Sequence, residues 1–79
     1  MVYNRFKILL SEKEAREGKR VSYADIQKST GIAASTLSAW ATNDISRYDR
    51  ETIEKLCKFF SCKVGELIVY EPSPQQPGE

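Results

Sequence analysis

Histidine is absent from the chain. With it go the usual general base at neutral pH, the Ser–His and Cys–His nucleophile pairs and the commonest zinc ligand. Cysteine is scarce: Cys57 and Cys62 stand among Leu56, Phe59 and Phe60 without the CxxC pairs of a zinc or redox site, and are expected as reduced thiols in the core. Glycine is sparse too, and its four residues form no phosphate-cradling loop. No stretch approaches the ~18 consecutive apolar residues of a membrane span, and the opening MVYNRFKILL is charged too soon for a signal peptide. These absences leave no catalytic constellation. The expectation is a protein that is not an enzyme, takes no metal or cofactor, has no membrane partner and resides in the cytoplasm.

What is present suits one small folded unit. The chain has 79 residues, 41% of them hydrophobic and 29% charged, enough for a single core and too few for a second. A net charge of +1 conceals a gradient, because residues 1–50 hold nine Lys and Arg against six Asp and Glu, whereas residues 51–79 hold three against five. The first part is therefore the better surface for a polyanion.

Helical periodicity organises the chain. Phe6, Leu9, Leu10 and Lys13 share one face of a first helix expected over residues 2–17, which Gly18 stops. After the connector Lys19-Arg20, Ser22 can cap a second helix with Asp25 in its first turn and Ala24 and Ile26 toward the core. Gly31 ends that helix by Thr30. A third helix over residues 34–41 carries Leu37 and Trp40 on its inner side, with Ile32 just ahead. Asp49 suits the cap of a fourth, in which Ile53, Leu56, Cys57 and Phe60 repeat at i, i+3, i+4 and i+7. A last short helix is expected over residues 64–68. The tail EPSPQQPGE has no apolar residue, so the folded domain is placed at 1–70 and a disordered tail at 71–79.

Two short helices joined by a glycine turn make a helix-turn-helix, and small side chains on the second let its backbone approach nucleotide edges. At these residues, SYADIQKSTGIAASTLSAW, the sequence resembles the phage-repressor and Cro-type helix-turn-helix family, also called XRE. The match continues into ETIEKLCKFFSCKVGELIVYEP, which is similar to the fourth and fifth helices of small regulators in that family. The resemblance covers roughly residues 4–72. It implies an all-α, compact five-helix, lambda-repressor-like domain whose second and third helices bind double-stranded DNA, acting as a sequence-specific transcriptional regulator of the repressor kind.

Carried over position by position, the resemblance implies that Ala34, Ser35, Ser38 and Ala39 face the bases. Tyr23, Lys28, Ala33, Thr36, Arg47 and Arg50 then meet phosphates, with Arg5 in reserve. Serine hydroxyls and alanine methyls discriminate bases less sharply than Arg, Gln or Asn. The chain departs from the family pattern in having Ala33 at the cap, Gln27 in place of a small residue, and Ala41 and Asn43 where Glu and Gly are frequent. Such weak base contacts call for two modules on adjacent half-sites. A homodimer through Val64, Ile68, Val69 and Tyr70 is expected, although the same residues could simply pack on the first helix. A rival reading keeps the fold and drops the DNA: a protein-interaction module, antitoxin-like or adaptor, consistent with near-neutral charge and no Arg, Lys, Gln or Asn between Ala33 and Ala41.

Overall fold

Local chemistry places several of the helix ends in the computed structural model of the chain, in which residues 1–72 are described. The elements run β1 (Val2–Asn4), α1 (Phe6–Glu17), α2 (Tyr23–Thr30), α3 (Ala34–Ala41), α4 (Arg50–Phe60), α5 (Val64–Leu67) and β2 (Ile68–Tyr70). The expected disorder of 71–79 falls on residues of which only Glu71 and Pro72 are among those described.

Ser22 and Asp25 form a reciprocal capping box on α2: the Asp25 amide donates to Ser22 Oγ at 3.1 Å, and the Ser22 amide donates to the Asp25 carboxylate at 3.1 Å. Asp49 caps α4 by accepting from the Thr52 amide and the Thr52 hydroxyl, each at 3.0 Å. Gly31, at φ 78°, ends α2 in the left-handed region while its amide donates to the Gln27 carbonyl at 2.7 Å, the turn that sets α3 against α2. Thr30 tightens that turn, donating from its hydroxyl to the Ile26 carbonyl at 2.7 Å and accepting the Ile32 amide at 3.1 Å.

The fold is helical but not purely so. Residues 2–4 do not join α1 as their periodicity suggested; they pair antiparallel with residues 68–70 in the register Val2 with Tyr70, Tyr3 with Val69 and Asn4 with Ile68. The same pairing ends the fifth helix at Leu67, one residue short of expectation. Val, Ile and Tyr favour extended backbone, and the pairing partner lies at the far end of the described chain, which no local pattern can reveal.

The core draws on all five helices: Phe6, Ile26, Leu37, Trp40, Leu56 and Leu67 are almost wholly buried. Each such side chain contributes about 1.5–3 kcal/mol of burial. Phe6 sits edge-on to Phe60 at 5.7 Å and to Tyr23 at 6.0 Å. Ile26 is the buried residue of α2, as its spacing suggested, but Ala24 is exposed. On a helix of eight residues the inward stripe is one side chain wide, and Ala24 lies off it.

The capping carboxylates give the fold an acid dependence. Backbone hydrogen bonds, from Ser22 to Asp25 and from Thr52 to Asp49, hold both carboxyl groups below the ordinary Asp value. A depressed folded pKa means that the stabilisation is complete above the unfolded value of about 3.9 and is lost as the pH falls through the folded value. The double variant Asp25→Asn/Asp49→Asn keeps neutral caps that do not titrate. Its melting temperature should fall less steeply than that of the parent as pH is lowered from 5 to about 2, as read by circular dichroism.

Candidate nucleic-acid interface

The third helix has two unlike sides. Leu37 and Trp40 are buried to 0% and 2% exposure, and Ile32 in the preceding turn is buried as well. Ala33, Ala34, Ser35 and Ser38 are exposed, and Thr36 and Ala39 are half-buried at the margin. No side chain caps the amino end, where Ala33 stands in the capping position. The first amides of α3 therefore carry the unpaired donors and the positive dipole end that suit a phosphate oxygen.

The carboxyl end of α3 is fastened by an unexpected polar cluster. Asn43 takes φ 58°, a left-handed conformation that glycine adopts without strain and that asparagine tolerates better than other residues. Its side-chain amide then acts like a neighbouring strand: Oδ1 accepts the Asn4 amide at 2.7 Å and Nδ2 donates to the Asn4 carbonyl at 3.3 Å. Asn4 is the buried polar residue of the core, 5% exposed. Its Oδ1 accepts the Phe6 amide at 2.9 Å, capping α1, and its Nδ2 reaches the Tyr48 hydroxyl at 3.5 Å. Tyr48 in turn sits edge-on to Trp40 at 5.0 Å. Three segments meet here: the amino-terminal strand, the end of α3 and the loop to α4. The substitution of Asn for the family's frequent Gly was the available signal; its long-range partner was not readable.

The remaining expected residues are distributed around this frame. Tyr23 is half-buried against Phe6 at the start of α2. Arg47 is exposed in the loop after α3, and Arg50 is exposed at the start of α4 with only a 3.4 Å contact to Glu54. Lys28 is exposed on α2, among residues that face α4. Arg5 lies elsewhere, donating to the Glu66 carbonyl at 3.1 Å beside the sheet. Of the four residues expected at a dimer contact, Val64 and Tyr70 are exposed, whereas Ile68 and Val69 are half-buried and Ile68 packs on the core.

Neither cysteine is bridged. Burial, followed by the neighbouring Cys57, raises the Cys62 thiol to about 11, so it stays protonated at neutral pH. Among the described residues no three His, Cys, Asp or Glu side chains gather as a metal site, and no helix is long and apolar enough to cross a membrane.

Helix, glycine turn and helix, with the second helix exposed along its outer side, define the helix-turn-helix class. A model of the Cro/C1-type helix-turn-helix DNA-binding domain matches residues 13–73, and the chain belongs to that family. A crystal structure from Bacteroides fragilis, described as a candidate DNA-binding protein, superposes with a TM-score of 0.68 at 25% sequence identity, covering 87% of this chain and all of the other. Among curated proteins none matches significantly.

The two functions of Asn43, backbone conformation and hydrogen bonding, are separable. Asn43→Gly keeps the left-handed turn and loses both bonds, at a cost of about 1–2 kcal/mol. Asn43→Ala loses the bonds and also strains the backbone, adding roughly 1 kcal/mol. Urea denaturation should rank the parent above Gly and Gly above Ala; an alanine variant as stable as the glycine one would remove the conformational part of this account.

Proposed function

We propose that the protein is a sequence-specific transcriptional regulator that binds double-stranded DNA by setting the amino end of α3 in the major groove, and represses by occupying its operator. The observation that carries this reading is the open, uncapped and small-residue end of α3, backed by buried Leu37 and Trp40. Membership in a DNA-binding domain family supports it, as does likeness to a structure described as a candidate DNA-binding protein.

In this arrangement Ala34, Ser35, Ser38 and Ala39 meet base edges through methyl groups and hydroxyls. The backbone at Ala33, the hydroxyls of Tyr23 and Thr36, and the cations Arg47 and Arg50 meet phosphates, with Lys28 behind them. The alternative is a protein-interaction module on the same fold, favoured by one observation: residues 33–41 hold no side chain able to make a bidentate base contact.

Titration against duplexes selected from a random pool, repeated across a salt series, separates the two. DNA binding should weaken steeply with salt, and Arg47→Ala should lower the slope by about one unit. Binding that is absent or indifferent to salt leaves the interaction module.

The regulator acts as a homodimer in this proposal, because one module with small base-reading side chains adds too little specificity alone. Val64 and Tyr70 are supported as its contact by their exposure, 54% and 69%, and by Val2, 51% exposed and directly across the sheet from Tyr70. Ile68 and Val69 are half-buried and alternate to opposite faces of the ribbon, so they contribute less to that contact. Sedimentation should give a dimer at micromolar concentration and a monomer for Val64→Lys/Tyr70→Lys; a monomeric parent, with and without DNA, removes the dimer.

A further inference from the structure

An open trough of about 420 Å³ lies between the α1–α2 connector, α2 and the end of α4, with Lys19, Arg20, Val21, Lys28, Ser29 and Phe59 in its wall. A second hollow of about 240 Å³ shares Ser29 and Phe59 and continues past Thr30 to Lys55 and Lys58. None of these lining residues belongs to α3. Phe59, with Ser29, is common to both hollows and is the one aromatic side chain that lines them. One edge of its ring meets Phe60 at 5.2 Å and Lys13 Nζ lies 4.8 Å from its centroid, yet the side chain remains half-exposed.

The lining is net positive, with five cations, Lys19, Arg20, Lys28, Lys55 and Lys58, against two carboxylates, Glu17 and Asp25. Its two carboxylates are already engaged, Glu17 with Lys13 at 2.8 Å and Asp25 with the Ser22 amide at 3.1 Å. Lys55 is paired with Glu51 at 3.1 Å. Among the described residues, Lys19, Arg20, Lys28 and Lys58 have no ion-pair partner. Four free cations thus accompany one aromatic ring. A DNA backbone would satisfy the cations but not the ring, since phosphates and sugars gain nothing from an apolar ring in the wall of a hollow. An acidic polypeptide carrying an apolar side chain satisfies both.

We propose that this trough is a protein-docking surface for an acidic segment of a partner protein, seating one apolar side chain against Phe59 while its carboxylates meet Lys19, Arg20 and Lys58. The site lies off the exposed side of α3 and shares with the proposed DNA contacts only Lys28, which the segment's carboxylates do not require, so a partner can be held while α3 is engaged.

The test uses the full chain labelled with nitrogen-15. The probe is a short blocked peptide of Asp and Glu around a single Phe; the controls are the same peptide with Ser for Phe, and a DNA duplex. The acidic Phe peptide should give saturable amide shifts at Lys19, Ser29, Lys58 and Phe59. The Ser peptide should bind roughly tenfold more weakly, and Lys19→Glu/Lys58→Glu should weaken the Phe peptide by at least about tenfold. Both lysines are exposed, so the variant's unchanged melting curve certifies its fold. The proposal is overturned by absent trough shifts, by equal binding of the two peptides, or by a duplex that moves the trough amides more than the peptide does. Loss of DNA binding by α3 would leave the peptide result standing, because the two readouts fall on different residues.

Discussion

A helix of eight residues is too short to persist on its own in water, so α3 exists because Leu37 and Trp40 bury one side of it. That constraint governs the rest of the molecule. Anchoring has to be concentrated on one side, and Ile32 ahead of the helix and Tyr48 after it extend the same apolar seam. The opposite side, freed of structural duty, can then be built from alanine and serine. Small side chains there also keep the helix favourable in spite of its missing cap, since alanine loses no side-chain entropy on becoming helical.

The polar fastening of Asn43 to Asn4 complements this apolar one. A buried amide is costly unless its donors and acceptors are paired, and here the pairing runs in both directions along the Asn4 backbone while the Asn4 side chain caps α1. Position matters as much as energy. A hydrophobic contact tolerates sliding, whereas two opposed hydrogen bonds at one residue fix register. Leu37 and Trp40 thus supply the apolar hold on α3, and Asn43 fixes its carboxyl end, where the loop bearing Arg47 begins.

What could be read from the residues alone follows from the range of the interactions involved. The capping pair Ser22 and Asp25 and the stop at Gly31 are satisfied within a few residues, and the inward stripe of α4 announces itself by its own period although it packs on distant helices; each was legible. The sheet was not, because Val2 and Tyr70 pair across nearly the whole described chain and each strand is three residues long. Ala24 shows a different limit: apolar identity says little about burial when the side chain is one carbon. On the candidate interface, the exposure of Ala33, Ala34, Ser35 and Ser38 follows from where Leu37 and Trp40 must point. Asn43 stood out only as a departure from a pattern, and its partner lies in a distant segment. The trough was invisible for the same reason, since Phe59 and Lys19 come to line one hollow only once α4 has packed against α2.

The strand pair has a kinetic side. Joining β1 to β2 closes the largest loop in the described chain, and the entropy of such closure is recovered only after the intervening helices have already drawn the ends together. On that argument the ribbon forms as a late clasp on a preassembled bundle. Opening it at Met1 and Glu71 leaves the turn at Gly31 in place, whereas Asn4, the last residue of β1, stays tied to Asn43 and couples the ribbon to the carboxyl end of α3.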